Sequence, residues 1–221
     1  MSAGRAPGRS QAGPHPLGGS TGVLAGRGAD ILLLYLHGFR SSPSSFKAKM
    51  LQHWLETNRP DVQWGCPQLP PSPAAAWALI REEASGTPPD ALRVVGSSLG
   101  GFYATVLAEA TGCRALLLNP AVDPARDLAA YIGDQTQYHR PEEHFLFRAD
   151  YVDELLALTP AAITRPERYS ALIAKGDELL DWREMTGRYS GATIRLLEGS
   201  DHALSDFAEH LPWVLERLGL R

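Results

Sequence analysis

The apolar positions of this chain fall into short, nearly unbroken runs separated by longer stretches of helical spacing. The runs are Ile31–Leu36, Val62–Gly65, Leu92–Ser97, Ala115–Leu118, Ser170–Lys175 and Thr193–Leu197. Runs of this length predict strands, and continuous apolarity predicts strands covered on both faces, as in a parallel sheet. Between them, Phe46, Met50, Leu51, Trp54 and Leu55 recur at helical spacing behind Ser44 and Ser45, two N-cap candidates. Ala74–Glu83 follows Pro73 and carries Trp77 and Ile80 on one side. Phe102–Ala110 is an apolar helix signal that stops before Gly112, a candidate C′ residue. Phe207, Leu211, Val214, Leu215 and Leu218 mark a last amphipathic helix. Such alternation predicts an α/β fold: a mostly parallel sheet of about six strands, with helices on both faces and right-handed crossovers.

One stretch breaks the rhythm. No strand is expected between Asn119 and Pro166, where Tyr131, Tyr138, His139, Phe145 and Phe147 are scattered among polar residues. Tyr151–Leu158 reads as one helix. Long inserts in compact domains are usually functional or disordered. Residues 120–166 therefore read either as a small cap over a site or as two ordinary crossover helices with long loops. The chain thus divides into a Gly/Pro-rich segment, 1–29, expected to be disordered, and one domain, 30–221. The first segment has Arg residues and no acid, as transit peptides do, but its Gly and Pro content opposes an amphipathic helix. No apolar run approaches a membrane span.

Composition narrows the partners. The chain has 221 residues, 44% hydrophobic, and a net charge of -4, with its basic residues scattered. Nucleic-acid binding needs clustered Lys and Arg, so no nucleic acid is expected. Two cysteines, Cys66 and Cys113, form no CxxC pair, so neither a zinc site nor any other metal or cofactor is expected. Few cysteines fit a reducing, cytoplasmic setting. Oligomeric state is not written in the sequence.

The chemistry gathers in Leu92–Gly101. An apolar strand runs into Gly96-Ser97-Ser98-Leu99-Gly100, a G-x-S-x-G match, and a helix follows at once. A sharp turn there lifts the serine hydroxyl clear of the sheet, and the glycines let strand and helix approach. Ser98 is the candidate nucleophile; Ser97 should point away. A serine needs a base and the base needs an orienting group, in the chain order Ser, Asp or Glu, His. Of seven histidines, His37 precedes Ser98, His53 lies on the first helix, His139 and His144 lie in the insert, and His210 lies within the last helix. His202 follows the last strand in Gly199-Ser200-Asp201-His202 and is the candidate base. Asp177 comes directly off the preceding strand and is the candidate acid, with Asp181 in reserve. Two N–H donors for an oxyanion are expected from Leu99 and from Phe39, in the His37-Gly38-Phe39 loop after the first strand.

With these pieces in place, the chain resembles the YqiA/YcfP-like esterases of the α/β-hydrolase superfamily. The resemblance rests on Tyr35-Leu36-His37-Gly38-Phe39, Ser41-Ser42-Pro43, Lys47-Ala48, Gly96–Ala104, Leu118-Asn119-Pro120-Ala121, Gly176-Asp177-Glu178, Leu180-Asp181 and Asp201-His202. It implies the α/β-hydrolase fold and hydrolysis of small acyl esters or thioesters without a metal, through Ser98, Asp177 and His202. Two rivals remain at this level: another hydrolase on the same fold, such as a thioesterase or peptidase, and a non-catalytic binding protein that keeps the fold.

Overall fold

A computed structural model describes residues 31–138 and 140–221. Residues 1–29, expected to be disordered, and His139 lie outside the described residues. In chain order the elements are β1 (Leu32–Leu36), α1 (Phe46–Asn58), β2 (Gln63–Gly65), α2 (Pro73–Glu83), β3 (Leu92–Ser97), α3 (Leu99–Thr111) and β4 (Arg114–Leu118). There follow α4 (Pro124–Leu128), β5 (Gly133–Gln137), β6 (Arg140–Phe147), α5 (Asp150–Leu158), β7 (Tyr169–Ala174), α6 (Trp182–Arg188), β8 (Thr193–Leu197) and α7 (Phe207–Arg217).

Six strands form one sheet in the order β2-β1-β3-β4-β7-β8, every pair parallel. Alternate side chains divide between its faces, as a pleated strand requires. On one face Leu34, Leu36, Val94, Leu117 and Ile173 pack with Ile80 of α2, Phe102 and Tyr103 of α3, and Met185 of α6. On the other, Leu33, Tyr35, Val95, Leu116 and Leu172 pack with Leu51 and Leu55 of α1 and Phe207 and Val214 of α7. This is the parallel, doubly covered sheet that the runs of apolar residues predict, and it fits the α/β-hydrolase fold that the resemblance implies. The chain leaves β1 toward β2 and returns to β3 on the other side, so a switch point lies between β1 and β3. Ligand crevices of open parallel sheets form at the carboxyl ends of strands there.

The caps follow local chemistry. Gly112 ends α3 at φ 78°, and its N–H donates to the Ala108 carbonyl at 2.7 Å. Ser45 holds the N-cap position of α1 without a side-chain cap bond, whereas Ser72 caps α2 by accepting from the Ala75 N–H.

Between Asn119 and Pro166 the structure corrects the strandless reading. β5 and β6 form an antiparallel hairpin with an irregularity at Thr136/Gln137. Its sequences, GDQTQ and RPEEHFLF, are too polar to signal strands, because the hairpin stands off the main sheet and buries little beyond Phe147. The segment also contains α4 and α5. It is tied to the domain by Glu154 of α5, whose carboxylate accepts from the Ser72 hydroxyl at 2.7 Å and the Ala74 N–H at 2.9 Å. The Arg40 guanidinium donates to the Thr136 carbonyl and hydroxyl at 2.6 and 2.9 Å. Among the described residues, no helix is long and apolar enough to cross a membrane.

Candidate active site

Ser98 sits between β3 and α3 with φ 55° and ψ -120°, a backbone conformation that an L-residue adopts only when its surroundings enforce it. The enforcement is visible. The Ser98 N–H donates to the Leu118 carbonyl at 3.0 Å, and the Ser98 carbonyl accepts from the Gly101 and Ala121 N–H groups at 2.8 and 3.0 Å. A Cβ on Gly96 would lie 2.2 Å from the Gly100 carbonyl oxygen, so the turn closes only around glycine there. Ser97 is buried and belongs to β3.

The loops after β7 and β8 bring the other two residues to Ser98. His202 Nε2 lies 3.0 Å from Ser98 Oγ, and His202 Nδ1 lies 2.7 Å from Asp177 Oδ2. The Asp177 side chain is fully buried, while His202 keeps 17% exposure. Asp177 Oδ1 accepts from the Leu179 and Leu180 N–H groups, both at 2.8 Å, which fixes the carboxylate plane. An ionised carboxylate only accepts, so Nδ1 carries the ring proton and Nε2 presents a lone pair to the Ser98 hydroxyl. That is the tautomer a general base needs.

Asp181 does something else. It is the N-cap of α6, accepting from the Arg183 N–H at 2.9 Å. Asp177→Asn is therefore expected to lower kcat by about 10³- to 10⁴-fold by inverting the ring tautomer, and Asp181→Asn by no more than a few-fold. Steady-state rates of the two variants test this; a large loss at Asp181 alone would reverse the assignment. Asp201 turns back to Ser205, accepting from its N–H and hydroxyl at 2.9 and 2.6 Å, and these bonds hold its carboxyl below the usual range.

The loop after β1 closes the site. A Cβ on Gly38 would lie 3.2 Å from Ser98 Cβ, so this loop runs directly against the Ser98 turn. Leu99 is the first residue of α3, so its N–H has no carbonyl one turn earlier to bind within the helix. His37 pins the loop. Its Nε2 accepts from the Leu69 N–H at 3.0 Å, so Nδ1 carries the proton and donates to the Gly38 carbonyl at 2.9 Å. Burial holds this ring below the usual histidine pKa, against the Gly38 bond, so it stays neutral. A pocket of about 230 Å³ opens beside Gly38, Phe39 and Leu99, walled by Leu69, Tyr103, Phe145 and Phe147. The Phe39 ring meets Tyr131, Phe145 and Phe147 edge-on at 5.6, 5.8 and 5.2 Å between centroids.

The remaining candidates have structural settings. His144 pairs with Asp134 on the exposed hairpin, and His210 with Asp206 on α7. Burial pushes the Cys66 thiol up to about 12 and raises Cys113, so neither is a thiolate near neutral pH. Among the described residues, no group of three His, Cys, Asp or Glu is placed to hold a metal ion.

Asn119 and Lys47 stand in two of the motifs that carry the resemblance, Leu118-Asn119-Pro120-Ala121 and Lys47-Ala48, but those motifs assign neither a role. Asn119 is fully buried at the end of β4 with φ 42°. Its Oδ1 accepts from the Ala174 N–H at 2.8 Å, and its Nδ2 donates to the Asp201 and His202 carbonyls at 3.0 and 3.2 Å. An asparagine directly off the strand beside the nucleophile strand was the available signal.

Solved structures share this architecture at low identity. The mouse α/β hydrolase domain-containing protein 10 aligns over 85% of this chain and 90% of its own, with a TM-score of 0.61 and 13% identity. A structure titled for LipS and LipT, two metagenome-derived lipolytic enzymes, covers 88% of this chain and 95% of its own, with a TM-score of 0.59 and 18% identity. Est1E from Butyrivibrio proteoclasticus, titled with bound ferulic acid, covers 86% and 90%, with a TM-score of 0.59 and 14% identity. At such identities the likeness establishes the fold. Residues 32–218, which span every strand and helix of the main sheet's domain, match the model described as "Uncharacterised protein family (UPF0227)", and the chain belongs to that family, the YqiA/YcfP-like branch of the α/β-hydrolase fold.

Proposed function

We propose that this protein is a serine hydrolase that cleaves carboxylic esters, with Ser98 as nucleophile, His202 as base and Asp177 as the group that orients the base. The hydrogen-bonded row Ser98 Oγ–His202–Asp177 carries the proposal. Ser98 Oγ attacks the ester carbonyl while His202 Nε2 takes its proton. The N–H groups of Leu99 and Phe39 hold the oxyanion of the tetrahedral intermediate. His202 then gives its proton to the leaving alcohol, and an acyl-enzyme remains. Water attacks that ester with His202 again as base, and the acid leaves with Ser98 restored. This chemistry calls for no cofactor or metal.

Residues 120–166 serve as a cap, since Phe145 and Phe147 from this segment wall the pocket that Gly38, Phe39 and Leu99 also line. The pocket is small and largely apolar, so the substrate is a small-molecule ester with a short acyl or small aromatic group. The lipolytic enzymes and the ferulic-acid-bound Est1E among the fold relatives agree with ester chemistry. Two free thiols fit the reducing cytoplasm as its setting.

A panel of p-nitrophenyl esters, acyl-CoAs and peptides, with a fluorophosphonate probe, tests the reading. The expected result is labelling at Ser98 and turnover of acetyl and butyryl esters, with kcat/KM falling about tenfold or more for the dodecanoyl ester. Turnover of peptides alone would remove the esterase assignment, and turnover of acyl-CoAs alone would move the substrate class to thioesters.

A further inference from the structure

The loop that carries His202 is held from inside the protein by two side chains on separate elements. Three successive carbonyls, those of Asp201, His202 and Ala203, each accept from a side-chain donor. Asn119 serves the first two, and the Lys47 ammonium serves the third. The His202 N–H in turn donates to Glu178 Oε2 at 3.0 Å. Lys47 is an unusual choice for such a tether. It lies in the first turn of α1 with 6% exposure, where a cation is unfavourable both to bury and to set against the helix dipole. A serine or asparagine could supply a donor without charge. What the ammonium adds is a positive charge whose attraction reaches Asp201 in the loop after β8 and Asp177 in the loop after β7, with the Phe46 ring 5.1 Å away on its own helix. Burial pushes Lys47 down to about 8, against the pull of Asp201 and Asp177, so it is still mainly charged at neutral pH.

We infer that Lys47 is a positioning residue with two effects: it tethers the His202 loop through the Ala203 carbonyl, and its charge offsets part of the Asp177 carboxylate felt by His202. This rests on the roles proposed above for Asp177 and His202. The sign follows directly. A carboxylate such as Asp177 favours a proton on the ring beside it, and a nearby cation opposes that. Removing the charge should raise the pKa of His202.

Three variants separate the two effects. Lys47→Met removes charge and donor; Lys47→Gln removes the charge and keeps a donor; Lys47→Arg keeps both. The measurements are the pH profile of kcat/KM on p-nitrophenyl acetate and the NMR titration of the His202 ring. Lys47→Met and Lys47→Gln should raise the His202 pKa, and with it the acid limb, by about half a unit or more. Lys47→Arg should leave both in place. Lys47→Met should lose kcat about tenfold with KM within about twofold, and Lys47→Gln should recover part of that loss. A pure packing role would lower kcat without moving the titration. Unchanged titration in both neutral variants would overturn the charge effect, and undiminished kcat in Lys47→Met would overturn the tether. Should Lys47→Met not fold, Lys47→Gln still decides the charge effect. Wild-type protein that turns over no ester and takes no fluorophosphonate would remove the hydrolase reading, but the NMR titration needs only folded protein and would still decide what Lys47 does to His202.

Discussion

Ser98→Ala is expected to lower kcat/KM on p-nitrophenyl acetate by about 10⁴- to 10⁶-fold while the fold is retained. On the proposed mechanism no acyl-enzyme forms without the hydroxyl, and the oxyanion donors and the base would assist only direct attack by water. Labelling by a fluorophosphonate should vanish together with turnover; undiminished labelling would place the nucleophile elsewhere. The same position should also reveal a cost of function. Ser98 is held at φ 55° and ψ -120°, where only glycine is at ease. Alanine keeps that strain, so Ser98→Ala should melt close to the wild type. Ser98→Gly removes it and should gain about 1 kcal/mol, after glycine's greater backbone entropy in the unfolded chain is deducted. Chemical denaturation of the three proteins checks the order. A Ser98→Gly protein less stable than Ser98→Ala would mean that little strain is stored in the turn.

Gly100→Ala should be the most damaging single methyl in the molecule. The added Cβ would lie 1.9 Å from the Leu36 carbonyl oxygen, 2.5 Å from its carbon and 2.8 Å from the His37 carbonyl oxygen. None of these is a side chain that can swing away. They are the backbone of β1, an interior strand of the sheet, at the point where it enters the loop bearing Phe39. Relief requires α3 to retreat from the sheet, which opens the core around Phe102 and Tyr103. The expected loss is about 4 kcal/mol or more, a large part of a typical domain's stability. Gly187→Ala is the control: it lies in α6 with nothing within 4 Å of the added carbon, and it should be neutral or stabilising by up to about 1 kcal/mol. A Gly100→Ala protein with the wild-type denaturation midpoint would show that α3 and β1 are not packed as described.

The sheet was readable because its strands are covered on both faces. Ile31–Leu36 and Leu92–Ser97 have almost no polar residue to disguise them, and each run differs from its strand by no more than a residue or two at its ends. The hairpin was not readable for the opposite physical reason. Only Phe145 and Phe147 of β6 show the alternation of a half-buried strand, and the residues before them, Arg140 to His144, look like a loop because solvent surrounds them. α4 and α6, with five and seven residues, are too short to repeat an apolar stripe; α6 buries only Met185. At the candidate site, Ser98, Asp177 and His202, which the structure brings together, could be picked as candidates from strand ends and chain order, because topology alone fixes which loops meet. The roles of Asn119 and Lys47 could not be read that way, although both stand in the motifs that carry the resemblance. Their work is done through main-chain carbonyls more than eighty residues away, and no local pattern marks a buried donor for a distant carbonyl.

Phe39 gives the pocket a property that its lining alone would hide. Its neighbour Gly38 runs against the Ser98 turn, whereas its ring is gripped on three sides by Tyr131, Phe145 and Phe147 of the insert. On the proposed mechanism one residue thus belongs at once to the part that selects the acyl group and to the part that meets the developing charge. Selectivity and speed would then not be separable traits. A descendant that traded Phe145 for a smaller residue to admit a bulkier acid would loosen the Phe39 ring and shift the N–H on the same residue. It would widen its diet only by slowing down, until a second change restored the grip.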